Sequence, residues 1–221
     1  YMRQIEALAE DVLENNVNMI LLAGPSGSGK TTTAHNLRKY LMKRLLGEGR
    51  YVYCLSMDDW YMSADQYTIP VDEEGNPDYE SPQCLDIARL NQDLNDLFAG
   101  REISVPCYNF ITHKSQESGA KFALREGDVV IMEGLHALNP IIRFPEDAES
   151  CLRVYVSPAD VIVDEKDGEV LDNQYIRLCR RIYRDRDQRG STEQETIEKS
   201  KSVNRGERLY IAPFLHNVGV W

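Results

Sequence analysis

A doubly wound α/β architecture, with a mainly parallel sheet and helices on both faces, is predicted by three observations on this 221-residue sequence. Apolar runs at 19–23, 51–56, 129–132 and 152–156 have the unbroken hydrophobic character of strands covered on both sides. Helical periodicities fall between several of them. None of the runs leads into a hairpin turn, so crossovers of the right-handed βαβ kind must connect them.

The elements follow in order. Ile5, Leu8, Ala9, Val12 and Leu13 form an apolar stripe at helical spacing, and residues 1–17 read as an N-terminal packing helix. The 19–23 strand stops at Gly24 and Pro25, and 31–46 then reads as a helix closed by Gly47. Residues 70–82 carry Asp72, Glu73, Glu74, Asp78 and Glu80 among turn formers, the composition of a solvated loop. Ser81 and Pro82 look like the N-cap and first-turn proline of a helix bearing Ile87, Leu90, Leu94 and Leu97 and stopped by Gly100. A small β insertion is expected at 105–110 and 121–124. No internal repeat or low-complexity segment is present.

Composition limits the function classes. Twenty-five basic against 36 acidic residues leave a net charge of −11, which argues against broad binding to nucleic-acid phosphates or to an anionic membrane surface. Five scattered cysteines, Cys54, Cys84, Cys107, Cys151 and Cys179, include no C-x-x-C pair and read as reduced thiols of a cytoplasmic protein. No apolar run is long enough to span a bilayer, and no secretion signal opens the chain. The start at Tyr1 and the stop at Trp221 after an apolar stretch read as part of a longer natural chain.

The segment Gly24-Pro25-Ser26-Gly27-Ser28-Gly29-Lys30-Thr31 fits G-x-x-x-x-G-K-S/T in full, between a strand and a helix. That context predicts a phosphate-binding loop and the P-loop NTPase fold. Its glycines let main-chain N–H groups turn toward phosphate oxygens, Lys30 reaches the β and γ phosphates of ATP, and Thr31, followed by Thr32, offers a hydroxyl to Mg²⁺. Ligands in an open parallel sheet collect at the carboxyl ends of strands, where Asp58 and Asp59 follow one strand and Glu133 follows another. Three carboxylates thus converge on the loop, enough to hold Mg²⁺ through its water shell and to take a proton from an attacking hydroxyl; the plainer reading of Asp58 and Asp59 is that they cap the next turn.

Residues 177–189 hold six arginines against two aspartates, a local balance of +4 in an acidic chain. Arg177, Arg181 and Arg184 share one helical face, opposite Leu178, Cys179, Ile182 and Tyr183, so the apolar side is expected to pack while the cations face a triphosphate. A solvated charged face is the alternative. The Gly190-Ser191-Thr192 break that follows suits a moving arginine-rich lid.

Together these segments resemble the uridine kinase and phosphoribulokinase family of P-loop kinases, from Ile20 to Phe214. Besides the loop, the resemblance rests on SMDDWY (56–61), PDYESP (77–82), VPCYNF (105–110), MEGLHALNP (132–140) and RLCRRIYRDRDQRG (177–190). It implies one kinase domain over 1–221, ATP and Mg²⁺ as cofactors, and transfer to the 5′-hydroxyl of a uridine-like or cytidine-like nucleoside. By that resemblance Asp58 is the catalytic carboxylate, aided by Lys30 and Arg184, and Thr31, Asp58 and Glu133 surround the metal. Glu80 would meet the ribose, Tyr108, Phe110 and His113 the base, Arg181 the substrate, and Arg184 and Arg189 the ATP phosphates. Where typical members have Asp, a second lid arginine and a base-contacting glutamine, this chain has Glu80, Ser191 and Lys199. EGLHALNP, RGSTEQETI and SVNRGERLYIAPF look closer to a bacterial uridine-kinase-like branch, whose longer members carry a threonyl-tRNA-synthetase-like N-terminal region. His113 reads equally as a base contact or a structural hydrogen bonder, and His35 and His136 as packing or supporting residues. The alternatives are a kinase for a sugar phosphate or another small alcohol, and an ATP-binding regulatory module without turnover. Relatives imply a homo-oligomer, for which these residues show no interface of their own.

Overall fold

The computed structural model describes residues 1–143, 150–158, 162–164, 166, 168 and 170–219; the terminal Trp221 lies outside them. Its centre is a four-stranded sheet ordered β2 (Val52–Ser56), β5 (Val129–Glu133), β1 (Met19–Ala23), β6 (Cys151–Tyr155), with every pairing parallel. Alternation along β1 feeds two cores. Met19, Leu21 and Ala23 enter a cluster with Leu90, Leu94 and Leu97 of α3 (Ile87–Phe98), while Ile20 and Leu22 enter one with α1 (Met2–Glu14) and α2 (Lys30–Leu45). Leu37 and Leu41 of α2 are fully buried there, each worth roughly 1.5–3 kcal/mol of hydrophobic transfer. Helices thus cover both faces, as doubly wound topology requires.

Several boundaries differ from expectation, each for a local reason. The helix after the phosphate loop ends at Leu45, one turn of 3₁₀ helix follows, and Gly49 rather than Gly47 takes the left-handed conformation, with φ +74°. Ser81 and Pro82 begin a separate 3₁₀ turn over Pro82–Cys84, and the N-cap of α3 is Asp86, whose carboxylate accepts from the Arg89 N–H. The antiparallel pair is longer than predicted: β3 (Ile103–Asn109) pairs with β4 (Lys114–Phe122). Most of β4 is polar and exposed, so hydrophobic patterning could not reveal it.

The chain ends in helices. A short pair, β7 (Ile162–Val163) and β8 (Val170–Leu171), precedes α4 (Asn173–Gln188), α5 (Glu193–Glu198) and α6 (Ser200–Tyr210). After Gly190, at φ +65°, a capping box between Thr192 and Glu195 restarts the helix. The expected orientation of α4 is inverted: Arg177, Arg181 and Asp185 are its buried residues, whereas Tyr183 is 65% exposed and Cys179 faces solvent. The reason is what α4 packs on. Its neighbours are the phosphate loop and the polar side of α6, where Glu207 accepts from Arg177 Nη2 at 2.6 Å. Matched carboxylates let arginines be buried where a leucine face would have met polar backbone.

Candidate active site

The 24–31 loop joins β1 to α2, with Gly27 at φ +81° and Gly29 at φ +103° as N-cap. Gly27 is also a close-approach position: a Cβ there would lie 2.7 Å from the Arg177 carbonyl oxygen and 2.9 Å from Arg181 Cγ. So α4 sits directly on the loop. Arg184 Nη2 donates to Ser26 Oγ at 3.2 Å and Arg180 Nη1 to the Ser28 carbonyl at 3.5 Å. Gly24 abuts the Val156 carbonyl beyond β6, and Thr32 lies in the first turn of α2, the helix behind the loop. Lys30 Nζ folds back to the Pro25 carbonyl at 3.4 Å, and Ser28 Oγ is buried without a partner among the described residues.

Glu133 ends β5 opposite Ser56, the last residue of β2. It accepts from Thr31 Oγ1 at 2.7 Å and from Ser56 Oγ at 3.2 Å. Among the described residues no group of three or more His, Cys, Asp or Glu side chains could hold a metal ion. The donor set at the loop is instead one hydroxyl beside one carboxylate, which fits a small hard cation completed by phosphate oxygens and water, as Mg²⁺ prefers.

Past β2, residues 57–60 form a 3₁₀ turn in which Ser56 Oγ accepts from the Asp58 N–H. Ser56, not either aspartate, is therefore the cap. Asp58 keeps a 41% exposed carboxylate with Arg189 Nη2 3.6 Å away. Asp59, expected at the loop, is engaged by the hairpin: burial pushes its carboxyl up to about 6, with Asp58 adding to the rise and the Tyr108 N–H opposing it. Glu133 is thus the carboxylate bonded to the phosphate loop, Asp58 stands past the neighbouring strand end beside Arg189, and Asp59 meets the Tyr108 N–H of β3 while remaining in the field of Glu133.

Tyr61, Tyr108 and Phe110 pack around this turn, with ring centroids 5.4, 6.1 and 5.0 Å apart pairwise. Arg189 lies over the Phe110 ring at 4.0 Å. Of the two arginines expected at ATP phosphates, only Arg184 touches the loop; Arg189 stands on the aromatic side. His113, at φ 53°, has Nδ1 3.4 Å from the Tyr108 hydroxyl. A cleft of about 1450 Å³ runs from these rings past Glu80, Arg181 and Lys199 to α6. Desolvation raises the Glu80 carboxyl, opposed by Arg181 and Lys30 and reinforced by Asp58, while burial lowers Arg181.

Sequence reasoning missed part of this site. Asp78, expected in a solvated loop, is 2% exposed and accepts from Arg205 Nη1 and the Tyr210 hydroxyl, both at 2.7 Å. His136, which the sequence marks as a packing or supporting residue, is buried, and burial takes its imidazole down to about 4. The sequence signals were the PDYESP, MEGLHALNP and SVNRGERLYIAPF segments, which mark a resemblance without saying what they touch.

The sequence model of the Phosphoribulokinase / Uridine kinase family matches residues 19–220. The chain belongs to the phosphoribulokinase/uridine kinase family. It is an ATP-dependent kinase of the uridine-kinase-like kind. Uridine kinase of Staphylococcus aureus is 31% identical over 188 residues, covering 85% of this chain and 77% of the relative. Two solved structures share the fold of this kinase. A possible uridine kinase from Bacillus stearothermophilus is 21% identical, with TM-score 0.52 and coverage of 92% of this chain and 95% of that one. D-glycerate 3-kinase from Cryptococcus neoformans var. grubii is 16% identical, with TM-score 0.62 and coverage of 94% and 88%. Among the described residues, no helix of the kinase is long and apolar enough to cross a membrane.

Proposed function

We propose that this kinase moves the γ-phosphoryl group of ATP to the 5′-hydroxyl of a nucleoside of the uridine or cytidine type. The observation that carries the reading is that Asp58 follows Ser56, whose partner Glu133 also bonds Thr31 of the phosphate loop, and lies 3.6 Å from the Arg189 that covers Phe110 of the Tyr61–Tyr108–Phe110 aromatic cluster. Aromatic faces suit a planar base, and His113 beside Tyr108 extends that surface. Glu80 would accept hydrogen bonds from the ribose hydroxyls, with Arg181 beside it to keep its charge compensated.

Transfer forms a bond between the 5′-oxygen and the γ-phosphorus and breaks the bond from that phosphorus to the β–γ bridging oxygen, so ADP leaves. The 5′-hydroxyl proton passes to Asp58. The glycine-rich loop, Lys30, Arg184 and, once it swings from Phe110, Arg189 would surround the phosphates. Thr31 and Glu133, with Asp58 nearby, would hold Mg²⁺, which when bound neutralises phosphate charge.

A panel of uridine, cytidine, purine nucleosides, D-glycerate and sugar phosphates, assayed for ADP release and product phosphorus position, tests the reading. Acceptor-dependent formation of a pyrimidine nucleoside 5′-monophosphate is expected. Turnover confined to a sugar phosphate or a small hydroxy acid would overturn it in favour of a non-nucleoside acceptor, for which Lys199 and Lys201 in the cleft supply cations.

A further inference from the structure

Gly206 is buried in the interior of α6, where its main chain is helical rather than left-handed. Glycine is the poorest helix former after proline, so backbone conformation does not account for it. Space does. A Cβ at 206 would lie 2.6 Å from Glu80 Cβ and 2.9 Å from Glu80 Cγ. Because Glu80 Cβ is fixed to the main chain, rotating a flexible tip cannot relieve that overlap; the loop or the helix would have to move.

The same helix holds the loop at a second point. Asp78 takes hydrogen bonds from Arg205 and Tyr210, one residue before and four after Gly206, while its other oxygen accepts from the Glu80 N–H at 3.2 Å. Arg205 also binds Glu73, with contacts of 2.8 and 2.9 Å. On the far side, the buried His136 ring stands 5.6 Å from the Tyr210 ring. Held in this way, the Glu80 carboxylate is left in the field of Arg181, Asp58, Lys30 and Arg189.

We propose that Gly206 is a positioning residue for the phosphate acceptor: its missing side chain seats the stem of Glu80, and the Arg205–Asp78–Tyr210 contacts set where the 70–82 loop stands over the cleft. The inference rests on Glu80 as an acceptor contact. It predicts a division that a merely structural glycine would not produce, because alanine in a helix interior should otherwise be neutral or stabilising.

Gly206→Ala and the gentler Tyr210→Phe, made in the full chain, test it. For Gly206→Ala the acceptor KM should rise by about tenfold or more while the ATP KM stays native, and for Tyr210→Phe the rise should be roughly two- to threefold. Amide hydrogen exchange should quicken over residues 76–84 and stay native over 24–31. That readout needs no acceptor. Quickened exchange in a protein that turns over no nucleoside would support the seat and remove the nucleoside reading. Native exchange over 76–84 with a native acceptor KM would overturn the seat while leaving nucleoside turnover intact. Equal losses toward ATP and acceptor would overturn it too. If Gly206→Ala does not fold, Tyr210→Phe decides on the same readouts.

Discussion

The phosphate side and the acceptor side of the cleft are built in different ways. On the phosphate side, one continuous octapeptide presents main-chain groups, supported by side-chain contacts from Glu133 to Thr31 and from Arg184 to Ser26 that span 102 and 158 positions. On the acceptor side, Asp58, Glu80 and Phe110 stand on separate segments held by side-chain contacts, of which Arg205 to Asp78 spans 127 positions. Desolvation also differs in its reach. Asp59, Glu80 and His136 all have carboxyl or imidazole groups displaced by burial, and all lie toward the acceptor. Both subsites lean on distant partners; they differ in that the phosphate ligands are main-chain groups of one segment, whereas the acceptor would be met by side chains of several.

The largest effect expected of separating the two sides is at Asp58, where they meet. Asp58→Asn should lower kcat by about 10²–10⁴-fold with ATP affinity close to native, because the proton acceptor is lost and the loop is untouched. Near-native turnover, measured by ADP release, would sink the assignment of Asp58 as base. Thr31→Val comes next. It keeps the shape of the side chain and removes the hydroxyl bonded to Glu133, so ATP affinity by calorimetry should fall roughly tenfold with magnesium present and hardly change with the metal chelated. A loss independent of magnesium would mean that Thr31 supports the loop without meeting the metal.

The smallest effects belong to the displaced groups behind the acceptor site. Asp59 has its folded pKa raised from 3.8 to about 6, so its contribution to stability is present at low pH and is lost as pH rises from about 4 to 6. His136 is lowered from 6.5 to about 4, so its contribution is lost as pH falls through that window. The two oppose each other. Denaturant unfolding from pH 4 to 7 should show the stability of the native protein relative to Asp59→Asn falling as pH rises, and relative to His136→Phe rising. Parallel difference curves would show that these groups do not titrate as their burial implies.

Legibility follows the same division. The octapeptide, the strand before it, α2 and the carboxylates at strand ends were readable because short-range pattern and main-chain geometry determine them. β4 was largely unreadable because a polar, exposed ribbon carries no hydrophobic signal, and the burial of Asp78 because nothing near it in sequence supplies a cation. The arginine helix shows the limit most clearly. Its composition was plain, yet the face that packs was misjudged, because periodicity ranks side chains by hydrophobicity and cannot see that Glu207 and the phosphate loop await the arginines.

By itself, the sequence determined the sheet-and-helix order, the phosphate loop and the family of chemistry, since each depends on residues close together along the chain. Only the tertiary structure decided which arginines are buried, that Arg189 rests on Phe110 rather than at the loop, and that a glycine in α6 makes room for Glu80. Those outcomes turn on desolvation and on contact distances between remote segments. Neither quantity exists until the chain has folded.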